Sequence, residues 1–165
     1  DGHVISYERR EEFADVARAN VAAWFGEIPG NWDVEIGDFA RATTSEPCDA
    51  VILDMVAPWE CLDVADALLR PGGALVGYVT TTTQLSRLVE DMRERGTWTE
   101  PRAEESLVRT WHLNGLAVRP DHRMIGHTAF LVAARHLAPG HVAPTRRQRP
   151  APGAHQGSDG VVPGE

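Results

Sequence analysis

The chain has 165 residues, one domain's worth of sequence, and its apolar fraction of 42% is enough to build a core. Its net charge of −8 is unevenly spread: residues 1–105 carry nine arginines against twenty-one acids, 106–135 four against one, and 136–165 three against two. An acidic sum disfavours tight non-specific nucleic-acid binding but leaves room for a phosphate-contacting patch in the locally basic later part. There is no lysine, a pattern that fits bidentate phosphate contacts and equally a compositional bias of the source. No apolar run approaches bilayer-spanning length, and no basic segment followed by an apolar one marks a signal peptide. The two cysteines, Cys48 and Cys61, lack the spacing of a zinc or dithiol site. The expectation is a cytoplasmic chain with no membrane partner, no metal, and both thiols reduced and buried.

Residues 4–8 form a brief strand ending on Glu8, and 9–25 place Phe13, Val16, Ala17, Val21 and Trp24 at near-helical spacing before Gly26 and Pro29-Gly30 stop the pattern. A second strand at 32–36 alternates apolar and polar and leads to Asp38. Val51-Ile52-Leu53 is the short apolar run of a parallel strand covered on both faces, and Asp54 marks where it leaves the core. Pro58 suits the first turn of a helix over 59–69, with Leu62, Ala65 and Leu69 on one face and Pro71-Gly72-Gly73 breaking the pattern. A fourth strand follows at 74–80. Thr83 is placed to cap a helix that buries Leu85, Leu88, Val89 and Met92 and ends at Gly96. Strands at 107–113 and 128–133, joined by 115–126 without helical period, read as an antiparallel terminal pair. The domain is set at 1–138. The Pro, Gly and Arg-rich stretch 139–165 has nothing periodic to bury and is expected to be a disordered tail from about 141.

This order of β-α units with an antiparallel end predicts an α/β fold with a Rossmann-like sheet. It resembles the class I S-adenosylmethionine-dependent methyltransferases. Three blocks narrow the likeness: residues 51–59, residues 75–79 with Thr83-Gln84-Leu85, and Gly126-His127-Thr128-Ala129-Phe130-Leu131. They resemble the bacterial and archaeal tRNA (adenine-58-N1)-methyltransferases over roughly 3–138, and agreement across spaced blocks in order is stronger than a lone motif. The likeness implies a homotetramer acting on tRNA. It also implies a glycine-rich cofactor loop and a small β-rich domain upstream. No strand here is followed by a Gly-x-Gly pattern. The chain therefore reads as the C-terminal part of a longer protein, with a sheet incomplete at its N-terminal side.

Three carboxylates carry the expected chemistry. By resemblance, Glu8 accepts hydrogen bonds from the cofactor ribose; the alternative is a solvated acid favoured in a first helical turn. Asp38 similarly matches the residue that receives the cofactor's adenine amino group, with an N-cap aspartate as its alternative. Asp54 is assigned to catalysis and to the cofactor pocket. Adenine N1 becomes part of a cationic ring on methylation, and a fixed carboxylate that accepts from the exocyclic amino group orients N1 and opposes that charge. Its alternative is a cap for the helix opened by Pro58. Tyr78 matches a tyrosine beside the target base, against a core aromatic. Gln84 is a pocket-lining candidate, whereas Arg109 and His127 read better as structural than as phosphate or site contacts. Three rivals remain. One is a methyltransferase of the same fold for protein carboxylates or small molecules. The others are a non-catalytic scaffold and a nicotinamide-binding domain, the last lacking its phosphate-binding fingerprint.

Overall fold

Strand β1 (Val4–Glu8) and strand β2 (Trp32–Ile36) pair in parallel, in register from Val4 opposite Trp32 to Glu8 opposite Ile36. Between them runs α1 (Glu11–Phe25), which opens on Glu11 and Glu12, acids suited to the positive end of the helix dipole. It ends at Gly26, whose φ of 84° is the left-handed cap that glycine adopts without a Cβ penalty. The computed structural model describes residues 2–43 and 46–144.

The second unit is built on β3 (Cys48–Asp54), a 3-10 turn (Pro58–Cys61), α2 (Leu62–Leu68), β4 (Leu69–Val79) and α3 (Thr82–Arg95). After these come β5 (Arg102–Glu104), β6 (Trp111–Asn114), β7 (Ala117–Pro120) and β8 (Phe130–Arg135). Its sheet has the order β3-β4-β8-β5, with β3 parallel to β4 and β8 antiparallel to both β4 and β5. Val51, Leu53, Leu75, Val79, Val132 and Ala134 point to one face. There they meet Leu62 and Ala65 of α2 and Leu88 and Met92 of α3 in one buried cluster. Gly77 lets α3 approach, because a Cβ there would sit 2.6 Å from the Leu88 side chain. Arg95 at the end of α3 reaches back to Asp63 and Asp66 on α2 and fixes the two helices against each other.

Several expectations change. Ile52 is 74% exposed, so β3 is covered on one face, the other meeting no layer among the described residues. Cys61 is buried as expected, but Cys48 is only half-buried; neither forms a disulfide. The Pro-Gly-Gly stretch does not precede β4 but lies inside it. The register shifts between Cys48 opposite Leu69 and Ala50 opposite Ala74, and this bulge places Gly72 at a φ of 82°. Gly73 is equally constrained, since a Cβ there would lie 2.8 Å from the Arg70 carbonyl oxygen.

The cap of α3 is Thr81, not Thr83. Thr81 has Gln84 three residues on, and the pair closes a capping box: Thr81 Oγ1 accepts from Gln84 N at 3.2 Å while Gln84 Oε1 accepts from Thr81 N at 3.0 Å. Thr83 has Ser86 at that spacing, too short to reach back. The antiparallel end of the sheet is present, but β8 takes 102–104 and β4 as partners. Residues 111–114 turn instead through Gly115 into a separate hairpin with β7. Of the expected tail, 145–165 lies outside the described residues; 139–144 holds a turn and no helix or strand.

Candidate active site

The parallel register sets Asp54 directly opposite Tyr78 at the carboxyl ends of adjacent strands. Period-two alternation puts both on the open face with Ile52 and Val76, away from the helices. Asp54 is exposed and Tyr78 half-buried, so a ligand arriving over the strand ends meets a carboxylate and a phenol side by side. The capping alternative for Asp54 does not hold. Ala57 occupies the position before Pro58, and the turn has no side-chain cap.

Gln84 braces the rim of this site. Its Nε2 donates to the Val56 carbonyl at 2.8 Å, and its Oε1 accepts from the backbone N–H of both Thr80 and Thr81. The loop after β3 is thereby tied to the N-terminus of α3. Below it, the Cys61 thiol donates to Met55 Sδ. Burial, then the charges of Asp38 and Glu60, push that thiol up to about 11, and burial also raises Cys48. Both stay protonated at neutral pH, so neither supplies a thiolate nucleophile.

Glu8 and Asp38 stand at the ends of β1 and β2, joined where Gly37 N donates to the Glu8 carbonyl at 2.9 Å. Each carboxylate makes the local bond of its alternative reading. Glu8 Oε1 accepts from Arg10 N at 2.9 Å, closing the turn into α1, and Asp38 Oδ1 accepts from Ala40 N at 3.0 Å as the N-cap of the 3-10 turn Phe39–Arg41. One oxygen of each is used in this way. An open depression of about 400 Å³ borders Tyr7, Gly37, Asp38 and Arg41, with the Tyr7 ring tilted against Phe39 at 5.3 Å. Phe39 and Ala40 pack on the main core, and the 3-10 turns that follow β2 and β3 meet each other. The β2 and β3 ends therefore lie on the same side of the molecule.

Arg109 sits exposed between β5 and β6 and joins neither the Asp54–Tyr78 pair nor Glu8 and Asp38. His127 does not bond within the hairpin. Its Nε2 faces the Thr80 carbonyl at 2.8 Å and its Nδ1 faces Glu105 Oε1 at 2.5 Å. Glu105 was not singled out from sequence, and no local signal marks it. The Thr81–Gln84 brace was legible as a Thr-x-x-Gln spacing. Among the described residues no group of three or more His, Cys, Asp or Glu side chains is placed to hold a metal ion, and no helix is long and apolar enough to cross a membrane.

No profile of a known protein family matches the chain. A curated relative from Methanocaldococcus jannaschii, named tRNA (adenine(57)-N(1)/adenine(58)-N(1))-methyltransferase TrmI, is 30% identical over 158 residues, covering 81% of this chain and 56% of the relative. The tRNA (adenine(58)-N(1))-methyltransferase TrmI of Thermus thermophilus is 34% identical over 140 residues, covering 81% and 52%. The chain thus spans about half the length of the curated relatives it matches. Among solved structures, an S-adenosylmethionine-dependent O-methyltransferase from Thermotoga maritima superposes with a TM-score of 0.76 at 28% identity, over 90% of this chain and 52% of that one. The tRNA (m1A58) methyltransferase TrmI of Aquifex aeolicus gives 0.72 at 26%, over 82% and 54%. By sheet topology and by these likenesses, the chain has the Rossmann-like fold of the class I S-adenosylmethionine-dependent methyltransferases and resembles the TrmI tRNA (adenine-58-N1)-methyltransferases.

Proposed function

We propose that this chain is the substrate-side part of an enzyme that transfers a methyl group from S-adenosylmethionine to N1 of an adenosine in the tRNA T-loop. The observation that carries the reading is the pairing of Asp54 with Tyr78 across β3 and β4, on an uncovered face at the strand ends. When bound, the cofactor supplies an electrophilic methyl on its sulfonium. Its transfer to N1 would leave S-adenosylhomocysteine and a cationic adenine ring. Asp54 accepts from the exocyclic amino group, aims N1 along the line of attack, and opposes the growing charge. Tyr78 supports the base once it has left its stack in the folded RNA. Glu8 takes the cofactor ribose and Asp38 its adenine amino group, each through the oxygen not spent on its turn. No covalent intermediate is required. The working unit in this reading is a cytoplasmic homotetramer.

The likeness to the Thermotoga maritima O-methyltransferase favours one second reading, the same fold acting on oxygen of another substrate. Nucleoside mass spectrometry separates the two. The full-length protein incubated with unmodified tRNA and cofactor is expected to yield 1-methyladenosine. Asp54→Asn should lower kcat by about a hundred- to a thousandfold with little change in thermal stability, because the side chain is exposed. Absence of 1-methyladenosine with the wild-type protein overturns the proposal. Saturable binding of S-adenosylhomocysteine by calorimetry excludes the scaffold alternative.

A further inference from the structure

A bonded chain crosses the rim of the site from segments far apart in sequence. Val56, two residues beyond Asp54, accepts from Gln84; Gln84 accepts from Thr80 and Thr81; the Thr80 carbonyl, two residues beyond Tyr78, faces His127; and His127 faces Glu105. The last two contacts constrain the ring's protonation. A carbonyl oxygen only accepts, so Nε2 carries a proton and donates to Thr80. In a neutral ring Nδ1 would then turn a lone pair toward the Glu105 carboxylate, which is repulsive. A second proton between Nδ1 and Oε1 removes the conflict, and the pair becomes an imidazolium donating to a carboxylate and to a carbonyl at once. Glu105 is the charged group facing the ring from the β5–β6 connection. From the end of β4 the His127 ring meets the Thr80 carbonyl, and from β8 it meets the Phe130 ring at 4.7 Å. The hydrogen bonds to Glu105 and then Thr80 raise the imidazole above its ordinary value, in agreement with the geometry.

We propose that His127 is a positioning residue: as an imidazolium it bonds the Thr80 carbonyl and the Glu105 carboxylate at once and clips the segment between β5 and β8 to the carboxyl end of β4, and on deprotonation it keeps only one of the two bonds, so the clip loosens. The segment bears Arg109, Arg119 and Arg123 and the whole β6–β7 hairpin, so its placement sets what a large substrate meets next to Tyr78. The sign follows from the raised folded-state value. The doubly bonded state is complete below the ordinary imidazole pKa of 6.5 and is lost as pH rises through the higher folded value. The structural part stands without any reaction; its effect on catalysis rests on the RNA methyltransferase reading above.

The test is a histidine titration by NMR in the full-length protein, with the His127 signal assigned by its loss in His127→Gln, together with amide hydrogen exchange of residues 105–127. The expected result is a titration above the ordinary value that falls back in Glu105→Gln, with faster exchange of the segment in that variant and in wild type at high pH. In the methyl-transfer assay, Glu105→Gln should raise KM for tRNA by about tenfold while cofactor affinity stays the same. A wild-type His127 that titrates at the ordinary value, or a titration and exchange pattern that Glu105→Gln leaves unchanged, overturns the proposal. A wild-type protein that forms no 1-methyladenosine counts against the functional reading alone, since titration and exchange need no substrate.

Discussion

The β1–α1–β2 unit and the β3–β8 unit start from the same kind of sequence, a short strand followed by an amphipathic helix, and end in different states. In the first, Ala14 is the buried hydrophobic residue of α1, while Phe13, Val16, Trp24 and Phe25 are exposed. In the second, Leu62, Leu75, Leu88, Met92 and Val132 are fully enclosed. Periodicity alone does not produce a core. An apolar stripe becomes stabilising only where a second layer closes on it, and in the second unit α2 and α3 close on one face of the sheet formed by β3, β4 and β8.

That contrast is measurable, and the largest effect comes from opening the closed layer. Leu75→Ala is expected to cost about 2–5 kcal/mol in urea denaturation, whereas Phe13→Ala, at a side chain 44% exposed, should cost less than about 1 kcal/mol. Equal costs would mean that the two units are buried alike. Overpacking gives the next effect: Gly77→Ala drives a methyl into the Leu88 side chain and should destabilise by about 1–3 kcal/mol, with partial rescue by Leu88→Ala in a double-mutant cycle. The smallest is Thr81→Ala, which removes the cap of α3 at about 1 kcal/mol. Thr83→Ala should leave the melting temperature close to that of the wild type, and the reverse ranking would restore Thr83 as the cap.

Much of this arrangement was readable in advance for local reasons. Val51-Ile52-Leu53 and Leu75-Val76-Gly77 are strands by residue type, and once they are neighbours in a parallel sheet the placement of Asp54 beside Tyr78 follows from register. Glu8 and Asp38 were legible as acids at strand ends, and so were their local bonds as an acid at a helix start and a capping aspartate. Three things were not legible. The outer partner of β8 is the three-residue strand 102–104, too short to show a period, and strand pairing between distant segments leaves no local mark. The exposure of Ile52 depends on what lies over the sheet and not on the strand itself. The His127 bridge joins side chain and backbone from three separate segments, which no spacing rule connects.

The pairing of β4 with β8 has a consequence for how the chain comes into being. Ala74 lies opposite Arg135, and the core cannot be sealed until Val132 and Ala134 arrive at the edge of β4. During synthesis β3, β4 and both helices emerge first, with the β4 edge and its apolar face waiting for a strand the ribosome has not yet released. Such non-local pairing is slow to form and leaves an open strand edge in the meantime. Nascent chains stalled shortly before Phe130 are the ones expected to recruit chaperones, and those stalled after His136 has cleared the exit tunnel the ones expected to resist protease.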